Sequence, residues 1–224
     1  MITAAICFAL LSQTAATQPS TIDLIPTDDV WVYPNAGDPS KDAYLRFWGA
    51  GGKSVPGPGE SAEDFSYSYL KWSLRDLPDG AKVTSATLIL THVANSQLSA
   101  ADIKASPVEV RALSGGFTEK GWSYATAEKI IPDRSGVFGK GGPASMVKDK
   151  ETLFEINLAL TPTASDAGSF RAYFERALAG EGKELGLALV SAVDPSSGSG
   201  AIYKIFSKDG PKEFRPVLRL VFEK

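Results

Sequence analysis

Residues 67–92 constrain the fold more than any other part of the chain, because they predict two β-strands and the turn between them. Leu70 and Trp72 alternate with tyrosines and Lys71 in the first half, as strand side chains do when they point to opposite faces of a sheet. β-Branched residues are frequent in the second half and favour a strand over a helix. Pro78-Asp79-Gly80 predicts a turn between the halves, because proline fixes φ and glycine tolerates a positive φ. We expect this strand pair, joined as a hairpin, to anchor a sheet.

Short strand patterns separated by turn-forming residues fill most of the remaining chain. Residues 168–179 are the exception, since their apolar side chains recur at helical spacing and predict a helix. Residues 131–149 are rich in glycine and proline and predict a long loop. About ten short strands with one short helix indicate an all-β fold, an antiparallel two-sheet β-sandwich of jelly-roll type.

The first 17 residues resemble a secretory signal peptide. Residues 4–11 form an apolar run, and Thr14-Ala15-Ala16 offers the small side chains that cleavage requires. The n-region lacks a basic residue, so a buried N-terminal strand or helix is the alternative interpretation. We predict a signal peptide over residues 1–17 and a single secreted or cell-surface domain over residues 18–224. No later apolar run is long enough to span a membrane.

Composition argues against several classes of function. The formal net charge of −3 gives no basic excess for nucleic-acid binding. One histidine and one cysteine leave little for soft metal ligation and do not allow an intramolecular disulfide. The chain has no nucleophile elbow, zinc-protease or P-loop motif. We predict no cofactor, although calcium in the acidic loops remains open because it needs only oxygen ligands. His92 ends an apolar strand face, and we expect it to be partly buried with its hydrogen bonds satisfied.

The chain resembles the DNRLRE-domain family of carbohydrate-binding modules. YLKWSL at 69–74 and LPDGAKVTSATL at 77–88 carry the resemblance, and DVWV at 29–32, FTEKGW at 117–122, FSKD at 206–209 and RPVL at 215–218 follow the family order. Phe117, Lys208 and Asp209 stand where the family has Trp, Arg and Glu. The resemblance implies a secreted, non-catalytic β-sandwich that binds polysaccharide, with acidic polymers such as alginate as one ligand class.

Two predicted strands carry aromatic and basic side chains on the face opposite their apolar residues. If residues 43–48 and 67–73 are neighbouring strands, four aromatic rings and two cations share one sheet face. Aromatic rings stack on the apolar side of pyranose rings, and cations pair with uronate carboxylates. Alternatively, both faces of the sheet are covered and the aromatic residues belong to the core. The candidate ligand-binding residues are Tyr44, Arg46, Trp48, Tyr67, Tyr69, Lys71 and Lys208, with Arg219 as an addition.

These patterns favour a secreted polysaccharide-binding domain without catalysis. One alternative is an extracellular structural or adhesion sandwich with a protein partner, which predicts a broad apolar surface. The other is a polysaccharide lyase or hydrolase that uses His92 with a tyrosine. The oligomeric state is left open by the sequence.

Overall fold

The computed structural model describes residues 18–36, 38–94, 97–127, 129–146, 149–161, 169–198 and 200–223. The predicted signal peptide, residues 1–17, lies outside this range. Within these residues, no helix combines the length and the apolar character that crossing a bilayer requires.

Within the described residues, eleven strands and three short α-helices make up the fold. The strands are Ser20–Leu24 (β1), Asp28–Val32 (β2), Tyr44–Phe47 (β3), Tyr67–Ser73 (β4), Lys82–His92 (β5), Val108–Leu113 (β6), Pro132–Gly141 (β7), Thr152–Asn157 (β8), Glu184–Val190 (β9), Tyr203–Phe206 (β10) and Val217–Glu223 (β11). The α-helices are Ala100–Ala105 (α1), Tyr124–Ala127 (α2) and Phe170–Ala179 (α3), and 3-10 turns lie at Pro39–Lys41, Pro195–Ser197 and Lys212–Phe214.

The strands form two antiparallel sheets. The first sheet has the order β1-β11-β5-β10-β3, and β8 pairs with β5 on the side opposite to β11. The second sheet has the order β2-β4-β9-β6-β7. Eight of these strands, β1-β11-β5-β8 and β4-β9-β6-β7, follow the order of a jelly roll, in which the chain passes repeatedly from one sheet to the other. The predicted antiparallel two-sheet β-sandwich is therefore confirmed.

The two strands predicted in residues 67–92 are present, but they do not form a hairpin. They are β4 and β5, which lie in opposite sheets. The link between them buries Leu74 and Leu77, so it crosses the end of the core instead of turning back along one sheet. The predicted turn is correct in itself, since Gly80 has a φ of +75°. A turn motif shows where a chain bends, but the sheet that receives the next strand depends on distant pairing.

Residues 131–149 were expected to form a loop, and this expectation is wrong. Most of them belong to β7, which among the described strands pairs with β6 alone, so that it forms an edge, and which shows two register shifts. Proline at the start of an edge strand and glycine at irregular pairing are compatible with a strand. Gly139 also allows close packing, because a Cβ atom there would lie 2.5 Å from the Asn157 carbonyl oxygen on β8.

The predicted helix is confirmed as α3, but the expectation of a single helix is wrong. Phe170, Phe174 and Leu178 form the buried stripe of α3. The additional helix α1 begins at a capping box, in which Ser99 and Asp102 each accept a hydrogen bond from the other's backbone N–H. Local capping therefore supports a helix in a segment too short for helical periodicity to be visible.

Two apolar clusters hold the sandwich together. The larger one fills the space between the sheets, where Trp72 is fully buried and its indole N–H donates to the Leu24 carbonyl oxygen at 3.2 Å. The smaller one lies on the outer face of the second sheet, under the segment 114–131. Tyr69 of β4 and Phe117 of that segment meet there, with ring centroids 5.8 Å apart. The second sheet is therefore covered on both faces.

Gly139→Ala tests the close packing of β7 on β8. The added methyl group would meet backbone at Asn157, which cannot yield as a flexible side chain would. We expect the free energy of unfolding in urea to fall by about 1–3 kcal/mol. Gly115→Ala is the matched control, since nothing lies within 4 Å of its Cβ position, and it should change stability by less than about 0.5 kcal/mol. Equal effects of the two substitutions would contradict this account of β7.

Candidate functional site

The residues predicted to share one face fall into two groups. Tyr44 and Arg46 lie on β3 in the first sheet, with Trp48 directly after it, whereas Tyr67, Tyr69 and Lys71 lie on β4 in the second sheet. The two strands approach each other at one end, where the Ser68 hydroxyl donates to the Arg46 carbonyl oxygen at 3.0 Å and where Trp48 and Ser66, just outside the strands, form an isolated β-bridge, but they do not pair along one sheet. The common face of four aromatic rings and two cations, which required neighbouring strands, does not form.

The β4 tyrosines belong to the core, as the alternative interpretation of the sequence expected. Tyr67 and Tyr69 are 4% and 0% exposed, respectively. The Tyr69 hydroxyl donates to the Ile130 carbonyl oxygen at 2.7 Å, and Trp122 packs edge-on against its ring. Burial raises the pKa values of both tyrosines above the ordinary value. Neither ring is open to a ligand.

Lys71 is also engaged by the protein itself. Its ammonium donates to the Phe117 carbonyl oxygen at 2.7 Å and lies 3.0 Å from an Asp28 carboxylate oxygen. Glu184 is 3.8 Å away on β9, so two carboxylates and one carbonyl group surround the charge. With 8% exposure, Lys71 ties the segment 114–131 to β2 and β4. We therefore assign it a structural role.

Lys208 sits in a cluster of carboxylates. Its ammonium lies 3.0 Å from Glu119 and 2.9 Å from Asp209, while its backbone N–H donates to Asp29 at 2.6 Å. Carboxylate oxygens of the three acids lie within 4.8 Å of one another, a geometry that hard cations such as calcium favour. In the described residues Lys208 already supplies the positive charge among them. The cluster joins β2, the segment 114–131 and the turn after β10.

Burial shapes the acid–base properties of this cluster. Burial raises the pKa of Asp29 to about 7, against the hydrogen bond from Lys208, and repulsion from Glu119 adds to the effect. Burial likewise raises the pKa of Glu119. The carboxyl group of Asp29 therefore titrates near neutral pH.

His92 is fully buried, more deeply than the sequence suggested, and both of its ring nitrogens have partners. Nδ1 lies 3.0 Å from the Val93 carbonyl oxygen, and Nε2 accepts the Lys204 backbone N–H at 3.2 Å. These partners fix the neutral tautomer with a proton on Nδ1, and burial lowers the pKa of the ring. The ring thus has no nitrogen available to receive a proton from a ligand.

Three partly exposed aromatic side chains meet where the edge strands of the two sheets pack together. Trp31 on β2 and Tyr33 after it lie beside Trp48, the residue after β3. Tyr33 and Trp48 have ring centroids 4.9 Å apart, and Trp31 lies 6.4 Å from Trp48 and 6.5 Å from Tyr33. Their indole N–H groups are held by the protein, that of Trp31 by Asp42 and that of Trp48 by the Asp64 carbonyl oxygen. The three rings form one fixed aromatic group.

Arg46 joins this aromatic group. Its guanidinium carbon lies 4.8 Å from the centroid of the Trp31 ring, within range of a cation–π interaction. Asp42 accepts hydrogen bonds from both Arg46, at 2.6 Å, and the Trp31 indole, at 3.0 Å. One carboxylate therefore positions a cation and an aromatic ring together.

Lys204 is the second cation at this edge. It lies on β10 directly opposite Arg46, and its ammonium is 4.2 Å from the centroid of the Tyr44 ring. Within the described residues, Lys204 makes no ion pair. Burial and then repulsion from Arg46 lower its pKa. We define the edge surface as Trp31, Tyr33, Tyr44, Arg46, Trp48 and Lys204.

The edge surface combines predicted and unpredicted residues. Tyr44, Arg46 and Trp48 were candidates from the sequence, whereas Trp31, Tyr33 and Lys204 were not. The alternation of Trp31 and Tyr33 with two buried valines was visible in the sequence, but a strand pattern does not show which strand lies at an edge. Arg219 lies elsewhere, on β11, and forms a two-point ion pair with Asp23.

Neither protein-family models nor curated protein sequences give a match to this chain. The resemblance to the DNRLRE-domain family therefore stays a prediction.

The buried Asp29 makes stability depend on pH. Between about pH 4 and pH 7 the folded protein keeps a proton on Asp29 that the unfolded chain releases. Raising the pH through this window should lower the free energy of unfolding, by up to about 4 kcal/mol for a shift of about three pKa units. Asp29→Asn keeps an acceptor for the Lys208 N–H but cannot titrate, so the variant should lose less stability between pH 5 and pH 8.

Asp23→Asn is the control for this measurement. Its hydrogen bond with Arg219 lowers the pKa of Asp23, so its contribution is present above about pH 4 and is lost only in more acidic solution. Urea unfolding of both variants and the parent at pH 5 and pH 8 checks the prediction. A parent-like pH dependence in Asp29→Asn would show that Asp29 is not the titrating group.

Proposed function

We propose that this protein is a polysaccharide-binding module that holds its ligand on the edge surface and acts without catalysis. The observation that carries the proposal is the contiguous group of Trp31, Tyr33 and Trp48 with Arg46 stacked on it. The resemblance to carbohydrate-binding modules supports the same class.

The aromatic group suits a sugar ring. Pyranose rings carry an apolar face of C–H groups and a rim of hydroxyl groups, so they bind where flat apolar rings adjoin polar groups. The rings of the edge surface are already in place, because Asp42 and the backbone at Asp64 fix the two indoles. Such preorganisation lowers the entropy cost of binding.

The two cations favour a negatively charged polymer. Like charges directly opposite on neighbouring strands destabilise a sheet, and Arg46 and Lys204 are such a pair. Asp42 compensates Arg46, whereas Lys204 has no ion-pair partner among the described residues. A uronate carboxylate placed near Lys204 would supply the missing negative charge.

The described structure gives less support to the two alternatives. A lyase or hydrolase based on His92 lacks a free ring nitrogen, since Val93 and Lys204 engage both. An adhesion surface should present a broad apolar area, whereas the large apolar residues that are exposed, Ile25, Ile131 and Leu153, lie in separate segments of the chain.

Calorimetry against alginate, pectin, xylan and sulfated polysaccharides tests the proposal directly. Saturable binding to at least one of them is expected, and absence of binding to all would contradict it. The same solutions should be assayed for unsaturated ends by ultraviolet absorbance and for reducing ends. Accumulation of either product would move the protein to the enzyme class.

Two substitutions separate stacking from charge. Trp48→Ala removes a ring and should weaken binding of acidic and neutral polymers alike, by about tenfold. Lys204→Gln keeps a polar side chain but removes its charge, so it should weaken binding of the acidic polymer only, by about fivefold. Salt should reduce the same charge contribution, because the Debye length is about 8 Å at physiological ionic strength.

Arg219→Gln is the control for charge, since Arg219 is exposed but lies outside the edge surface. It should leave both affinities unchanged. A Lys204→Gln protein that bound neutral and acidic polymers with equally reduced affinity would show that Lys204 supports the fold, and would remove the argument for an acidic ligand.

A further inference from the structure

A groove of about 450 Å³ lies between the 3-10 turn at Pro39–Lys41 and the turn at residues 119–122. Trp122 forms part of its lining, together with Lys41 and Lys120. The edge surface includes none of these residues.

The groove adjoins the edge surface through both of its sides. One side ends at Lys41, next to Asp42, which holds the Trp31 indole and Arg46. The other side begins at Glu119, whose carboxylate accepts the backbone N–H of Asp29, two residues before Trp31. Both sides are therefore fixed to the strand that carries the aromatic group, and a chain lying on the edge surface can continue into the groove.

Trp122 presents a free hydrogen-bond donor. In the described residues the indole N–H groups of Trp31, Trp48 and Trp72 each donate to a protein oxygen, whereas that of Trp122 has no partner. This N–H is not among the buried polar atoms that lack a partner, so it keeps access to solvent. Tyr69 and Phe117 pack edge-on against the ring, at 6.0 and 5.7 Å, and hold it in position.

The charges of the groove leave one cation available. Asp38 pairs with Lys41, and Glu119 pairs with Lys208. Lys120 is exposed and has no ion pair within the described residues. The groove thus offers an N–H donor and an ammonium group, which together suit a ligand group rich in acceptor oxygens.

We infer that the groove is a second subsite, which binds the next uronate unit of a polysaccharide already held on the edge surface. Trp122 donates its indole N–H to an oxygen of that sugar, and Lys120 pairs with the carboxylate. The inference rests on the proposed function and adds to it an extended site, for which affinity increases with the length of the ligand.

Calorimetry of the full-length protein with short and long alginate oligomers tests this extended site. The parent should bind long oligomers about tenfold more tightly than oligomers short enough to fill only the edge surface. Trp122→Phe keeps the packing on Tyr69 and Phe117 but removes the N–H, and Lys120→Gln removes the charge. In each variant the ratio of the affinities for long and short oligomers should fall several-fold. The affinity for short oligomers should stay at the parent value. Lys104→Gln, on α1, is the control and should keep the full gain.

The outcomes separate this inference from the proposed function. If the parent binds short oligomers but gains nothing with length, or if both groove variants keep the full gain, the second subsite is overturned while the proposed function stands. If the parent binds neither the short nor the long oligomers, nor any other tested polysaccharide, the proposed function fails and the subsite fails with it. Thermal unfolding of Trp122→Phe should match the parent, so that a loss of the gain reports on the ligand contact.

Discussion

Both faces of the second sheet are buried, so this sheet offers no open face on which a ligand could bind. Trp72 packs between the sheets, and Tyr69, on the opposite face of the same strand, is sealed by Phe117 and Trp122. Lys71 fastens the covering segment through the Phe117 carbonyl oxygen. A sheet covered on both sides presents no broad aromatic platform, and the group of partly exposed rings formed by Trp31, Tyr33 and Trp48 lies instead where the edge strands of the two sheets meet.

At that edge, the protein holds two positive charges closer than folding alone would favour. Arg46 and Lys204 face each other across neighbouring strands, and only Arg46 has a carboxylate partner. The cost is limited because both cations lie over aromatic rings, those of Trp31 and Tyr44. An arrangement that costs stability without a partner and gains an ion pair with an anionic ligand is typical of binding sites.

Sequence patterns predicted the strands well and their partners poorly. Alternation of apolar and polar residues identified β4 and β5, because the period of two follows from strand geometry alone. It did not show that these strands lie in opposite sheets, which depends on pairing with β9 and β11, far along the chain. For the same reason Trp31 and Lys204 were missed. Trp31 belongs to the surface because β2 is an edge strand, and Lys204 belongs to it because β10 pairs with β3, and neither placement is visible in a strand pattern. Arg46 and Trp48 were found because their residue types suit sugar binding in any context.

The central claim, that the edge surface binds an acidic polysaccharide, is tested most directly by following the indole N–H signals of the ¹⁵N-labelled protein by NMR during titration with an alginate oligomer. The signals of Trp31 and Trp48 should shift progressively and reach saturation together. The signal of Trp72, which is fully buried between the sheets, should stay in place. If the oligomer binds while the Trp31 and Trp48 signals remain unchanged, or if none of the indole signals moves at any concentration, the edge surface is not the binding site.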